Sequence, residues 1–335
     1  MIAKGMRVLF IAPKFFGYEQ AIKHELELIG CDVDWYDDRP ASSSFMKALI
    51  RFRPELVSTL SDAYFDRIIA NARDYQYDVV FVIKGEAFSA QRIEQLRQSQ
   101  PLARFLYYSW DSLANFKNSK EKFACFDKVY SFDRRDCQDN QVRHLPLFYV
   151  RAYEDLAVHQ PVIQQDEVID LLFLGSIHSD RYAVVQRIWQ SAKRVMPQVK
   201  LFAYFFYQSR WVFLLRKIFD AQFRLVPWND VEWNSLDTSQ TLSLVARCKI
   251  MIDIHHPRQS GLTMRTIESL GAQKKIITTN PEVVNYDFYC PKNVLVVDRL
   301  MPVIPAEFIQ SPYVMPDQSV YAKYSLRCWL NEIFS

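Results

Sequence analysis

The run "DVVFVI" at residues 78–83 is apolar without alternation, and similar runs recur along the chain between stretches of helical spacing. A strand with one solvated face alternates apolar and polar residues. A continuous apolar run suits a strand covered on both faces. Such strands, separated by amphipathic helices, make a parallel sheet wrapped by helices. The first half reads as strand Val8–Ala12, helix Tyr18–Ile29 stopped by Gly30, strand Asp32–Tyr36, and helices over 45–52 and 55–74. Strand Asp78–Lys84, helix Ala90–Gln98, strand Arg104–Ser109, helix Leu113–Ala124 and strand Lys128–Phe132 come next.

Between Arg143 and Glu167 the periodicity weakens, and Pro146 and Pro161 punctuate it. A second β/α series then begins. Its strands are Ile169–Leu174, Lys200–Phe205, Ile250–Ile254, Lys275–Thr279 and Val294–Val297, with helices over Arg181–Val195, Ser239–Cys248 and Thr263–Gly271. The expected organisation is a domain over 1–150, a linker over 151–167, a second domain over 168–318 and a closing helix over 319–335. A length of 335 residues agrees with two domains. The fold class is α/β, with two Rossmann-like, doubly wound domains facing each other across a cleft. Ligands of such sheets sit outside the carboxyl ends of the strands.

Composition removes several classes. The net charge is +3, too small for a general nucleic-acid field. Six scattered cysteines form no C-x-x-C pair and no zinc spacing, which predicts buried, reduced thiols in a cytoplasmic protein. The apolar stretch after Met6 stops at Pro13-Lys14, so it reads as a first strand and not as a secretory signal. No segment approaches the ~20 apolar residues of a membrane span.

The stretch "SGLTMRTIESLGAQKKIITTN", Ser260–Asn280, carries the most chemistry. It comes after a strand, so the helix it opens starts at the ligand edge of the sheet. A helix N-terminus offers free N–H groups and a partial positive charge to a phosphate. Gly261 and Leu262 form the turn and Thr263 can cap. Arg265 sits in the first turn, where the helix dipole disfavours a cation unless an anion is bound. Glu268 lies one turn on, on the same face, where it can accept the two vicinal hydroxyls of a ribose. Together these make a grip for a nucleoside diphosphate. The alternative is an ordinary i,i+3 ion pair on a helix surface.

This stretch resembles the donor-binding segment of GT-B glycosyltransferases, where a glutamate on the helix holds the nucleotide ribose. More closely, it resembles the R-T-x-E-x-x-x-x-G segment of the CgeB-like glycosyltransferase group. "LFIAPKFFGYEQAIKHELELIG", "DDRP", "VFVIKGEAFS", "YYSWDS", "FDKVYSFDRRDC", "LPLFY" and "LLFLGSIHSDRY" also resemble segments of CgeB-like proteins of bacterial polysaccharide clusters. The resemblance implies a GT-B fold and a transferase that passes a sugar from a nucleotide-sugar donor to a saccharide or lipid-linked acceptor. The setting would be surface polysaccharide or lipopolysaccharide biosynthesis, and the class a hexosyltransferase. Ribose binding carries over to Glu268. Many retaining members have a second glutamate seven residues earlier; here that position is Ser260, so the stereochemistry stays open.

Other residues fit a donor site. Gly175 and Ser176 end a strand, and Arg181 lies just beyond as a countercharge to a pyrophosphate or as a solvated helix residue. His255 and His256 come after the next strand, either near the leaving phosphate, with His255 as a catalytic candidate, or in packing or capping roles. On the acceptor side Gly17, Tyr18 and Glu19 come after the first strand. Asp111 and Glu86, also at strand ends, are the carboxylates that could take a proton from the acceptor hydroxyl; capping or ion pairing is the alternative for each. Asp133, Arg134 and Asp136 read as structural. The D-x-D of Asp32–Asp34 lies within a strand and is read as coincidence. No metal or other cofactor is implied, because helix dipoles and basic residues can stabilise a leaving diphosphate.

The stretch Tyr204–Arg224 interleaves aromatics with Arg210, Arg216, Lys217 and Arg224. It reads either as a strand and core helix with exposed cations or as a basic, aromatic helix lying on the cytoplasmic face of the inner membrane. Tyr207 or Trp228 could also stack on a base. Two rival functions share the fold. A nucleotide-sugar epimerase would convert its donor alone, and a non-catalytic scaffold of a polysaccharide assembly would bind no donor.

Overall fold

A computed structural model describes residues 2–39, 54–85, 88–113, 120–138, 141–159, 164–256 and 259–335. The chain divides into two compact units, Met1–Leu147 with Leu326–Ser335, and Phe148–Ser325.

The first unit carries β1 (Arg7–Ile11), α1 (Tyr18–Ile29), β2 (Asp32–Tyr36), α2 (Pro54–Ala72), β3 (Val79–Ile83), α3 (Ala90–Ser99), β4 (Arg104–Ser109), β5 (Lys128–Ser131) and β6 (Val142–His144). The strands form one parallel sheet in the order β2-β1-β3-β4-β5-β6. Val8–Ile11 and all of β3 are buried, as expected of strands covered on both faces. Gly30 ends α1 in the left-handed region at φ 104°, a conformation glycine adopts without a Cβ penalty. Leu113–Ala124, expected as one α-helix, is a 3-10 turn over Lys120–Cys125 where described. The expected helix over 45–52 lies outside the described residues.

The second unit carries α4 (Arg151–Val158), β7 (Ile169–Ser176), α5 (Arg181–Val195), β8 (Leu201–Phe206), α6 (Arg210–Phe219), α7 (Ala221–Arg224), β9 (Val231–Glu232), α8 (Thr238–Arg247), β10 (Cys248–Asp253), α9 (Met264–Gly271), β11 (Lys275–Thr278), β12 (Val294–Val296), α10 (Ala306–Gln310) and α11 (Gln318–Lys323). Its parallel sheet runs β12-β11-β10-β7-β8-β9.

The termini of the units differ from the sequence reading in two places. Residues 151–158, expected within a linker, form α4, which packs against α9 and buries Tyr153. The expected closing helix over 319–335 is two helices. The chain breaks at Tyr324–Ser325, where the Tyr324 carbonyl accepts the Tyr149 N–H at 2.9 Å and Ser325 bridges Tyr149. The final helix, α12 (Leu326–Phe334), belongs to the first unit. There Trp329 meets Tyr108 edge-on at 4.7 Å, and Arg327 pairs with Glu25 at 2.6 Å.

All six cysteines are free. Cys31, Cys125 and Cys248 are buried as expected, whereas Cys328 is exposed on α12. Asp34 of the D-x-D accepts hydrogen bonds from Arg7 and, at 2.7 Å, from Tyr77, and Asp32 lies 3.4 Å from Arg7. These contacts sit at the amino edge of the sheet, opposite the edge where ligands bind. No helix among the described residues is long and apolar enough to cross a membrane.

Candidate functional site

Strand order locates the site before any side chain is considered. In the second sheet the sequence order reverses between β10 and β7, and in an open α/β sheet the crevice outside the carboxyl ends at such a switch point is where ligands bind. The segments leaving β7 and β10 are 176–181 and 254–263, which contain the residues singled out from the sequence.

Arg181 lies across this switch point. Its Nε donates to the Ile254 carbonyl at 2.9 Å and its Nη1 to the Ser176 carbonyl at 3.3 Å. Gly175 makes room for it: a Cβ there would sit 2.9 Å from the Phe173 ring and 3.4 Å from Arg181 Nη1. Burial lowers the pKa of Arg181, opposed by the field of Asp253. Asp253, the last residue of β10, is buried and accepts the Thr266 hydroxyl at 2.9 Å. Burial raises the pKa of its carboxyl, against the pull of Arg181 and of the Thr266 and Thr263 hydroxyls. The Arg181 guanidinium is therefore not the solvated helix residue that was its alternative; it ties β7, β10 and α5 together.

The loop before α9 is held from the neighbouring strand. Asn280, just past β11, donates to the Ser260 and Gly261 carbonyls at 3.1 and 3.2 Å. Leu262 is buried beneath the turn. Thr263 caps α9 by accepting the Thr266 N–H. Arg265 and Glu268 form the i,i+3 ion pair at 2.7 Å, with the Glu268 side chain 3% exposed. Tyr153 of α4 joins the pair through a hydrogen bond with Glu268, and burial together with the Glu268 charge raises its pKa. At the end of α9, a Cβ on Gly271 would lie 2.5 Å from Tyr149 Cγ, so this close helix–ring contact requires glycine.

One cation of this edge escaped the sequence reading. Arg299, after β12, grips Asp180 with two hydrogen bonds, at 3.0 and 2.5 Å. Its Nη1 also donates to the His255 carbonyl and to the Thr279 hydroxyl, each at 3.1 Å. The Thr279 hydroxyl also shares a hydrogen bond with His255 Nδ1, 2.8 Å away. Burial, Arg299 and Arg181 push the pKa of His255 down to about 4. Burial, Arg181 and His256 push that of His178 down to about 3. His178 and His256 lie ring to ring at 5.6 Å. At neutral pH the His255 and His178 imidazoles are thus uncharged. The signal available in the sequence is a cation shortly after a strand in "VLVVDRL", the same pattern as at Arg181.

A cavity of about 490 Å³ opens at the opposite, amino edge of this sheet. Its lysines are engaged: Lys275 with the Phe308 and Ser311 carbonyls, Lys274 with Ala246, and Lys249 with Asp170. These cations are committed to the protein itself, and the switch point remains the site.

In the first sheet the order reverses between β1 and β3. After β1, Phe16 and Gly17 both have left-handed backbone, at φ 52° and 81°; after β3, so do Lys84 and Gly85. Glu19 is buried and accepts the Phe15 N–H at 3.0 Å, so it shapes the loop and does not face solvent. Tyr18 is buried beneath Phe15. Phe15 also meets Trp110 at 5.5 Å, and Phe16 is 65% exposed. Asp111 pairs with Lys84 at 3.0 Å. Asp136 accepts the Leu113 N–H and the Ser131 hydroxyl, the structural role expected of it. Glu86 lies outside the described residues.

Comparison with solved structures identifies the architecture that carries this geometry. The chain is similar to a glycosyltransferase from Rickettsia africae, with 14% identity, TM-score 0.57, and 98% of this chain and 96% of that one covered. It is similar to Anabaena Alr3699/HepE, a structure in complex with UDP and glucose, with 11% identity, TM-score 0.59 and 98% of each chain covered. It is also similar to the Methanocaldococcus jannaschii UDP-GlcNAc 2-epimerase, with 11% identity, TM-score 0.52, and 98% and 99% covered. At these identities the likeness establishes the fold: a two-domain α/β GT-B fold, common to glycosyltransferases and UDP-GlcNAc 2-epimerases. No protein-family model matches the chain, and comparison with curated proteins finds no match either.

Proposed function

We propose that the chain is a glycosyltransferase that binds a nucleotide-sugar donor at the switch point of its second sheet. It passes the sugar to a saccharide or lipid-linked acceptor of surface polysaccharide synthesis. The observation that carries this reading is convergence. Arg181, Arg265 and Arg299 come from three separate segments, yet their charges act on one another at the carboxyl edge of this sheet, with Asp253, Glu268 and Asp180 as the countercharges. A charge-balanced frame of this kind holds the start of α9 and the His255 ring in fixed positions. Fixed donors suit the charge that develops on a leaving diphosphate, with no need for a metal. The GT-B neighbours whose names include UDP or a UDP-sugar support a nucleotide sugar as the donor.

Glu268 is assigned to the ribose, as the resemblance implies. Because it is buried against Arg265 and Tyr153, the hydroxyls have to share its carboxylate with Arg265. Asp111, paired with Lys84, is the proposed base for the acceptor hydroxyl.

Melting of the wild type and of Glu268→Gln, with nucleoside diphosphates and with inorganic diphosphate, tests the donor grip, since a ligand of the native state raises its melting temperature. Nucleoside diphosphate affinity should fall roughly tenfold in the variant, the effect of one lost charge-assisted contact, while inorganic diphosphate binds as before. Equal loss of both, together with a lower melting temperature, would make Glu268 only the counter-ion of Arg265. Conversion of the nucleotide sugar without an acceptor would instead identify an epimerase, and absence of all nucleotide binding would favour the scaffold.

A further inference from the structure

Helix α6 turns its apolar side outward. Ser209 caps it, and Phe213 alone of its residues is fully buried, packing against Phe223 and Trp233. Trp211, Leu214, Leu215 and Ile218, spaced i, i+3, i+4 and i+7, make one stripe and are 78%, 45%, 55% and 56% exposed. Phe219 continues it at 82%. The strand and the core contact of Phe213 are as the first of the two sequence readings had them, but the apolar stripe is exposed, which that reading did not anticipate. A contiguous exposed apolar patch on a folded unit marks an interaction surface.

The charges and the shape identify the partner. Between Ser209 and Trp228 there are four cations, Arg210, Arg216, Lys217 and Arg224, and one carboxylate, Asp220. The whole chain carries a net +3, so positive charge is concentrated at this helix. Arg216 lies 3.6 Å from Asp220, while Lys217 and Arg224 donate to the Val226 and Ile218 carbonyls and Arg210 lies over the Trp233 ring, contacts that leave three of the four positive charges without a carboxylate among the described residues. Side chains exposed by half or more stand out from the surface and do not line a groove. They suit a partner they can penetrate. We propose that α6 docks in the plane of an anionic bilayer, with Trp211, Leu215, Ile218 and Phe219 below the headgroups and the arginines at the lipid phosphates. The contact is peripheral, and it stands or falls separately from the donor reading.

Vesicle flotation of the full chain tests this, with phosphatidylcholine alone and with added phosphatidylglycerol. The wild type should float with the anionic vesicles only, and high salt should release it. Trp211→Ser/Leu215→Ser/Phe219→Ser should abolish flotation without lowering the melting temperature, since the side chains replaced are exposed. Arg210→Gln/Arg216→Gln/Arg224→Gln should weaken binding by about fivefold for each cation removed, about a hundredfold in all. The proposal is overturned if the wild type ignores anionic vesicles or if the serine variant still floats. It is equally overturned if sedimentation shows the wild type self-associating through this helix without binding vesicles.

Discussion

At the carboxyl edge of the second sheet the side chains are arginine, carboxylate and imidazole; at the same edge of the first they are mainly aromatic. Arg181, Arg299, Asp180 and Asp253 fix one edge through long-range hydrogen bonds. Phe15, Phe16 and Trp110 line the other, with the Lys84–Asp111 pair beside them. The two sheets have the same strand count and related windings, so the difference comes from the loops that leave the strands. Polar, preorganised loops suit a charged donor. Exposed aromatic rings beside one carboxylate suit a neutral sugar, whose hydroxyls need a base and whose ring faces need apolar contact. The backbone does not separate the edges: Phe16 and Lys84 on the first and Ser179 on the second hold left-handed φ without being glycine, a strain that tends to collect at functional sites.

The most direct way to break this comparison is at the carboxylate assigned to acceptor chemistry. Asp111→Asn should lower kcat by about a hundredfold or more while donor affinity holds, because general-base catalysis contributes on the order of 10²–10⁴. Steady-state transfer kinetics checks it; an unchanged kcat would reduce Asp111 to a partner of Lys84. Next in size is Arg299→Ala. It leaves Asp180 and the His255 carbonyl without their donor, so nucleoside diphosphate binding should weaken by about 2 kcal/mol, roughly thirtyfold. Calorimetric titration reads the loss, and a change below threefold would remove Arg299 from the donor frame. Smaller again, Trp110→Ala should raise the acceptor KM roughly tenfold, as expected of an aromatic anchor, with the donor KM unchanged. A rise in the donor KM instead would erase the contrast between the two edges.

How much of this was legible in the sequence depends on distance along the chain. Helices 18–29 and 181–195 and strands 32–36 and 104–109 match to the residue, because their apolar period and bounding glycine or capping residues are local signals. Strand β9 is two residues long, too short to show a period. Helix α4 presents one buried residue, Tyr153, in a stretch bounded by prolines, a pattern shared with linkers. The Asp180–Arg299 pair spans 119 positions and has no local signature. Helix α6 shows a different limit. Periodicity groups Trp211 with Leu215 and Ile218, but grouping residues on a face does not say whether the face points inward. For α1 it points in; for α6 it points out. Likewise the Arg265–Glu268 spacing was readable, whereas the burial of Glu268 beneath Tyr153 was not.

The finest test of the comparison is pH, since it acts on the imidazoles of the second edge. His178 and His255 titrate at about 3 and about 4 in the folded protein, against an ordinary value of about 6.5 in an unfolded chain. Between these limits the unfolded chain binds more protons, so stability falls as pH drops below about 6.5 and levels off once the folded groups also protonate. Asp253, with its raised pKa, works in the opposite direction, so the histidine contribution is read as the difference between the wild type and a variant that keeps Asp253. From pH 7 to pH 5 the wild-type melting temperature should therefore decline more steeply than that of His178→Asn/His255→Asn. A bound diphosphate places negative charge beside both rings, raises their pKa and should flatten the decline in the wild type too. If the variant falls as steeply as the wild type, the acid sensitivity lies elsewhere. If only the ligand fails to flatten it, the imidazoles are buried but do not face the phosphate, and the donor frame would rest on the arginines and the start of α9 alone.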